Sequence, residues 1–124
     1  MRALATILFD EAHSEAWTIR PEVAAEMNPA HAGDSSYARA AALLREDGYE
    51  VISEGTLADA DVMVIAHPSE PKWERVVPGG SPVFTAEELD AIEAFVRDGG
   101  GLIVLAEEEQ EKYGTNLSEL TERF

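Results

Sequence analysis

Three places along this chain carry residue types that can do chemistry, and each follows an apolar run. The stretch "ILFDEAHSEAW", residues 7–17, delivers Asp10, Glu11 and His13. The stretch "DVMVIAHP", 61–68, ends in His67, and "LIVLAEEE", 102–109, ends in Glu107, Glu108 and Glu109. Imidazole with carboxylates suits a divalent cation such as Zn²⁺, Mn²⁺ or Fe²⁺, so Asp10, His13, His67 and Glu107 form one candidate metal set. The same residues support a second chemistry, hydrolysis with His13 or His67 as base and Asp10 orienting it. Ser14, Ser69 or a bound water would then be the nucleophile. The spacing itself is unspecific, because neither His-x-x-x-His nor His-Glu-x-x-His occurs. A purely structural role competes with both: His67 packed beneath a loop and bonded to backbone, Asp10 capping loop amides. Trp17 and Trp73 are candidate ligand-binding residues, able to stack on a sugar or peptide, or else to plug the edge of the core.

The string Asp-Glu-Ala-His after a buried strand also marks helicase ATPases. That reading fails on chemistry. A nucleoside triphosphate needs a Gly-x-x-x-x-Gly-Lys-Ser/Thr cradle on an earlier strand, and the Gly-Gly pairs at 79–80 and 99–100 lack the Lys and hydroxyl that would follow. Charge opposes it too. The 124 residues carry 25 Asp and Glu against 9 Lys and Arg, a net charge of −16. Such a surface repels nucleic acid and anionic membranes; the excess acid keeps the protein soluble or suits a salty cytoplasm, or else serves a cationic partner or metal. Cysteine is absent, which removes disulfides, thiolate sites and any Cys nucleophile. With no signal-peptide pattern and no run of membrane-spanning length, a cytoplasmic location is expected.

The elements that must position these residues are legible. "ALATILFD" reads as a buried strand, and "PEVAAEM" as a helical turn with Pro21 in its first position. "DSSYARAAALLREDGYE" reads as a helix capped by Asp34 or Ser35 and stopped at Gly48, with Tyr37, Ala40, Ala41 and Leu44 on one face. "YEVISEG" is a short strand, "TLADA" a linker or single turn, and "DVMVIAHP" a strand buried on both faces. "TAEELDAIEAFVRDGGG" is the clearest helix, with Thr85 and Glu88 as a capping box, Leu89, Ile92, Phe95 and Val96 as its stripe, and Gly99 as its stop. "GLIVLAEE" is the last strand, and "NLSELTERF" opens a helix capped by Asn116 or Thr115. Strands without alternation, separated by amphipathic helices, predict a parallel α/β sheet. The expected fold is flavodoxin-like and doubly wound, strand order 2-1-3-4. Its crevice then lies at the carboxyl ends of strands 1 and 3, where Asp10, His13 and His67 sit. Two long loops, 11–33 and 68–84, leave from that edge. The second holds four of the six prolines, which predicts an ordered loop.

The stretch 84–123 resembles the GIFT domain shared by gliding-motility transporter auxiliary proteins and an intraflagellar transport subunit. Phe84-Thr85 at a helix start, Gly99-Gly100 at its end, "LIVLAE", and Asn116-Leu117 opening the next helix carry the likeness. The resemblance implies a fold related to class I glutamine amidotransferases, whose chemistry needs a Cys that this chain lacks. It therefore implies a non-catalytic recognition or assembly domain of a larger bacterial protein, with residues 1–124 as one domain and its N-terminal part, and with no cofactor. A metal-assisted hydrolase is the alternative. Domains of this type carry further strands. The expected partner is accordingly a protein, the chain's own further sequence, or a second copy in a homo-oligomer, with no nucleic acid and no membrane.

Overall fold

The computed structural model describes residues 3–26, 37–73 and 76–124. Four strands form one all-parallel sheet: β1 (Thr6–Phe9), β2 (Glu50–Ile52), β3 (Val62–Ala66) and β4 (Gly101–Leu105), in the order β2-β1-β3-β4. Helices α1 (Pro21–Glu26) and α2 (Ala38–Glu46) lie between β1 and β2, α3 (Ala86–Arg97) joins β3 to β4, and α4 (Leu117–Thr121) follows β4. The fold is the flavodoxin-like α/β arrangement read from the sequence. "TLADA" is a single 3-10 turn, Leu57–Asp59, held by a Thr56/Asp59 capping box.

Each sheet face has its own core, as the period of two along a strand requires. Met63 and Ile65 of β3 meet Leu89 and Ile92 of α3, Leu117 and Leu120 of α4, and Phe84. On the opposite face Ile7, Phe9 and Val64 pack with Val51 and with Ala41 of α2, flanked by Tyr37 and Leu44. In α3, Thr85 accepts from the Glu88 N–H at 3.1 Å and Glu88 accepts from the Thr85 N–H at 2.8 Å, so both ends of the expected capping box are made. The expected caps Asp34 and Ser35 of α2 lie outside the described residues.

Asn116 does not cap α4 with its side chain. Its Oδ1 accepts from the Phe84 N–H at 2.7 Å, and its Nδ2 donates to the Phe84 carbonyl at 2.9 Å and to Glu119 at 2.7 Å. The physical reason is that the backbone of Phe84, entering α3 beside the start of α4, needs both a donor and an acceptor, and an amide supplies both. The residue thereby ties the entry of α3 to α4 and seats the buried Phe84 ring.

Candidate functional site

The site is built from the loop that leaves β1. The Asp10 N–H donates to the Val64 carbonyl at 2.8 Å, which extends the β1–β3 pairing by one residue and places Asp10 at the switch point of the sheet. The loop then runs antiparallel to the segment after β3. Single bridges link His13 to Gly80 and Glu15 to Pro68, the Ser69 N–H donates to Ser14 at 3.1 Å, and the Val77 N–H donates to Glu15 at 2.8 Å. Gly80 makes the closest approach. It has a φ of +77°, and a Cβ there would lie 2.0 Å from the Ala12 carbonyl oxygen. Glycine is the residue that permits the two loops to meet.

Within this double loop the four letters of the Asp-Glu-Ala-His string separate in role. Glu11 organises its own loop: it accepts from the Thr18 hydroxyl, from the Ile19 N–H at 3.1 Å and from the Arg20 guanidinium at 3.1 Å. Asp10 and His13 turn inward. His13 Nδ1 lies 2.6 Å from Asp10 Oδ2, and His13 Nε2 lies 2.6 Å from Glu88 Oε2 at the start of α3. The ring stacks on Phe84, centroid to centroid 3.8 Å, 16° from parallel. Carboxylates only accept, so an imidazole held at both nitrogens by carboxylates carries both protons. Burial works to lower the pKa of His13, but the hydrogen bond and charge of Asp10, with the charge and hydrogen bond of Glu88, raise it overall.

Glu15 completes the group. It is fully buried, at 0% exposure. Its Oε2 accepts the His13 N–H at 3.0 Å, whereas its Oε1 has no hydrogen-bond donor and lies 3.9 Å from His13 Nδ1. Burial first, and then the hydrogen bond and charge of Asp10, push the Glu15 carboxyl up to about 10. At neutral pH Glu15 is the acid and Asp10 the base of a carboxyl pair. Asp10 goes the other way: burial would raise it, but bonds from His13 and Glu15, the charge of His13 and the Ala12 N–H hold it below the usual carboxylate range. Glu88 is likewise lowered, because its bonds to Thr85 and the bond and charge of His13 outweigh its partial burial.

No family model, curated protein or solved structure matches this chain. What its site can do is therefore read from geometry alone.

Of the residues marked out in the sequence, the structure brings Asp10 and His13 together and adds Glu15 and Glu88 to them; among the described residues, Asp10, His13 and Glu15 are the group with metal-ligand spacing. His67 belongs to a different cluster. Its backbone φ is +55°, its Nδ1 lies 3.2 Å from Gln110 Oε1, and its ring meets the edge of Tyr113 at 4.7 Å. Gln110 also accepts the Glu107 N–H at 2.7 Å and donates to the Pro68 carbonyl at 2.8 Å. The Glu107 side chain is exposed, and its charge is felt by Tyr37, whose pKa rises through burial and then through Glu107. Ser69 is buried and donates to the Glu70 carbonyl, and Ser14 donates to the Gly79 and Gly80 carbonyls, so both hydroxyls are engaged with backbone. Trp17 stacks on Tyr37 at 5.4 Å, while Trp73, 51% exposed, meets Tyr113. The two tryptophans join different aromatic neighbours.

Two participants were missed at the sequence level. Glu88 was legible only as a capping residue, yet its second oxygen reaches His13. Glu15 carried no signal, since a Glu in a loop reads as solvated until Pro68 and Val77 pair with it.

A second feature lies on the α2 face of the sheet. A groove of about 440 Å³ is lined by Phe9, Tyr37, Leu44, Val64, Ile103 and Leu105, among others. Ile103 and Leu105 are 48% and 39% exposed. They pair with Val64 and Ala66 of β3 and so share the face that α2 covers over β1 and β2. Among the described residues no helix lies over this half of the face. Among the described residues no helix is long and apolar enough to cross a membrane.

Proposed function

We propose that this chain is a non-catalytic recognition or assembly domain, which binds an amphipathic helix of a protein partner in the groove between α2 and β4. The observation that carries the reading is the apolar groove itself, with two β4 side chains left half exposed where a doubly wound sheet carries a helix. An apolar stripe laid along Ile103 and Leu105 would gain about 1 kcal/mol from each by burying the exposed half. The net charge of −16 selects a helix with basic residues on its outward face, and disfavours a second copy of the same acidic chain. The likeness of residues 84–123 to the GIFT domain supports the same reading.

A hydrolase has less to support it. Asp10, His13 and Glu15 are buried, and both nitrogens of His13 are engaged by carboxylates, so the imidazole offers no free base to a water.

The test uses the emission of Trp17, which stacks on Tyr37 at the groove. Titration with a basic amphipathic peptide should shift that emission saturably, and Ile103→Asp should abolish the shift. Equal response to a scrambled peptide of the same charge would overturn the groove reading. A concentration-dependent dimer dissolved by Ile103→Asp would replace the partner helix by a second copy.

A further inference from the structure

We infer that Asp10, His13 and Glu15 form a divalent transition-metal site, with Glu88 as the residue that orients the histidine. One ligand atom from each of the three lies within 4.8 Å of the others, and all three side chains are buried. Two contacts define the opening: Asp10 Oδ2 to His13 Nδ1 is 2.6 Å and His13 Nδ1 to Glu15 Oε1 is 3.9 Å. Ligands on a tetrahedral Zn²⁺ with bonds of about 2 Å stand roughly 3.3 Å apart. The two contacts fall on either side of that spacing, each within about 0.7 Å of it.

Two features separate this from an ordinary patch of acid. The first is Glu15 Oε1, fully buried, without a hydrogen-bond donor, and aimed toward the nitrogen of His13 that faces Asp10. A buried carboxyl oxygen left without a partner is costly even when the group is neutral. A cation between Asp10, His13 and Glu15 would meet it. The second is the use of the two ring nitrogens. Nδ1 faces the carboxylates of Asp10 and Glu15, while Nε2 is held at 2.6 Å by Glu88 from another element. A metal-bound histidine characteristically donates its other N–H to a carboxylate, which fixes the tautomer and raises ligand basicity. Glu88 is in that position, and the stacked Phe84 ring fixes the plane. Imidazole with two carboxylates selects Zn²⁺, Mn²⁺ or Fe²⁺ over thiophilic ions. The cation takes the place of the proton on His13 Nδ1 and of the proton on Glu15, which pass to solvent. Its effect would be to clamp the β1 loop to the start of α3, on the opposite side of the sheet from the groove. The inference stands whether or not the groove binds a helix.

The experiment is calorimetry of the full chain, tag removed and chelator-treated, with Zn²⁺ and separately with Mn²⁺. One equivalent should bind with a dissociation constant below about 10 μM. The ¹⁵N signal of His13 Nδ1 should move on loading. Glu15→Gln should weaken binding at least tenfold, Glu88→Gln by about 10- to 100-fold, and Glu108→Gln, on the exposed acidic run, should leave it unchanged. Circular dichroism establishes that each variant is folded. Absence of saturable binding overturns the site. So does binding that Glu15→Gln and Asp10→Asn both leave intact, which would place the cation elsewhere on the acidic surface.

Discussion

The Glu15 carboxyl makes a quantitative prediction about metal-free protein. Its pKa stands at about 10 when folded against an ordinary 4.5. Between those values the folded chain holds a proton that the unfolded chain has released. Fewer protons on the unfolded state make stability fall as pH rises. The stability linked to this group is complete below about pH 4.5 and is lost progressively as pH climbs toward 10. The loss is about 1.4 kcal/mol per pH unit, so about 2–3 kcal/mol between roughly pH 6 and pH 8. That figure does not depend on how far above pH 8 the folded value lies. The groups facing Glu15 act at other pH values or with known sign. His13 is raised, so its contribution is present below about 6.5 and is lost above it, adding to the fall. Asp10 and Glu88 are lowered, so theirs are present above about pH 4 and lost as pH falls below it. Stability should therefore peak on the acid side of neutrality. Glu15→Gln keeps an oxygen to accept the His13 N–H and offers an amide to Asp10, but cannot titrate. Urea denaturation in chelator, at steps from about pH 5 to pH 9, should give the variant a slope shallower than wild type by about 1.4 kcal/mol per pH unit. The variant should also match or exceed wild type at pH 8. Parallel slopes for the two proteins would refute the assignment of a buried neutral Glu15.

Two further substitutions probe how the site is assembled. Gly80→Ala should destabilise by more than about 2 kcal/mol, since a side chain at a φ of +77° is strained and its Cβ meets the Ala12 carbonyl; urea melts would show it, and a neutral result would mean the two loops are not in contact. Asn116→Ala leaves the Phe84 N–H and carbonyl without their partner and should cost about 1–3 kcal/mol, whereas loss of an ordinary exposed cap would leave the Phe84–His13 ring contact, read by the nuclear Overhauser effect, undisturbed.

Local signals in the chain were accurate wherever the physics is local. The α3 capping box needs only Thr85 and Glu88 three residues apart, and the structure makes both of its bonds. Strands without alternation, separated by amphipathic helices, imply a parallel sheet with helices on both sides, and the sheet has the expected 2-1-3-4 order. Boundaries were less exact: the strand read from residue 3 begins at Thr6. Asn116 stands at the N-cap position the sequence indicates, but its side chain bonds the Phe84 backbone, 32 residues away, and Glu119 instead of capping the helix.

The candidate site shows where sequence alone stops. It was enough to put Asp10 and His13 at the end of the central strand and to exclude ATP and cysteine chemistry, since these depend on composition and on position along a strand. It could not choose among five carboxylates and two histidines at one sheet edge. That choice depends on contacts between residues far apart in the chain. Pro68, Val77 and Gly80 meet the β1 loop, and the burial of Glu15 there raises its pKa. The packing of α3 brings Glu88 to His13, and Gln110 draws His67 and Glu107 into a separate cluster. The open groove beside β4 is equally tertiary, because Ile103 and Leu105 look like any buried strand residues until the helices have taken their sides of the sheet.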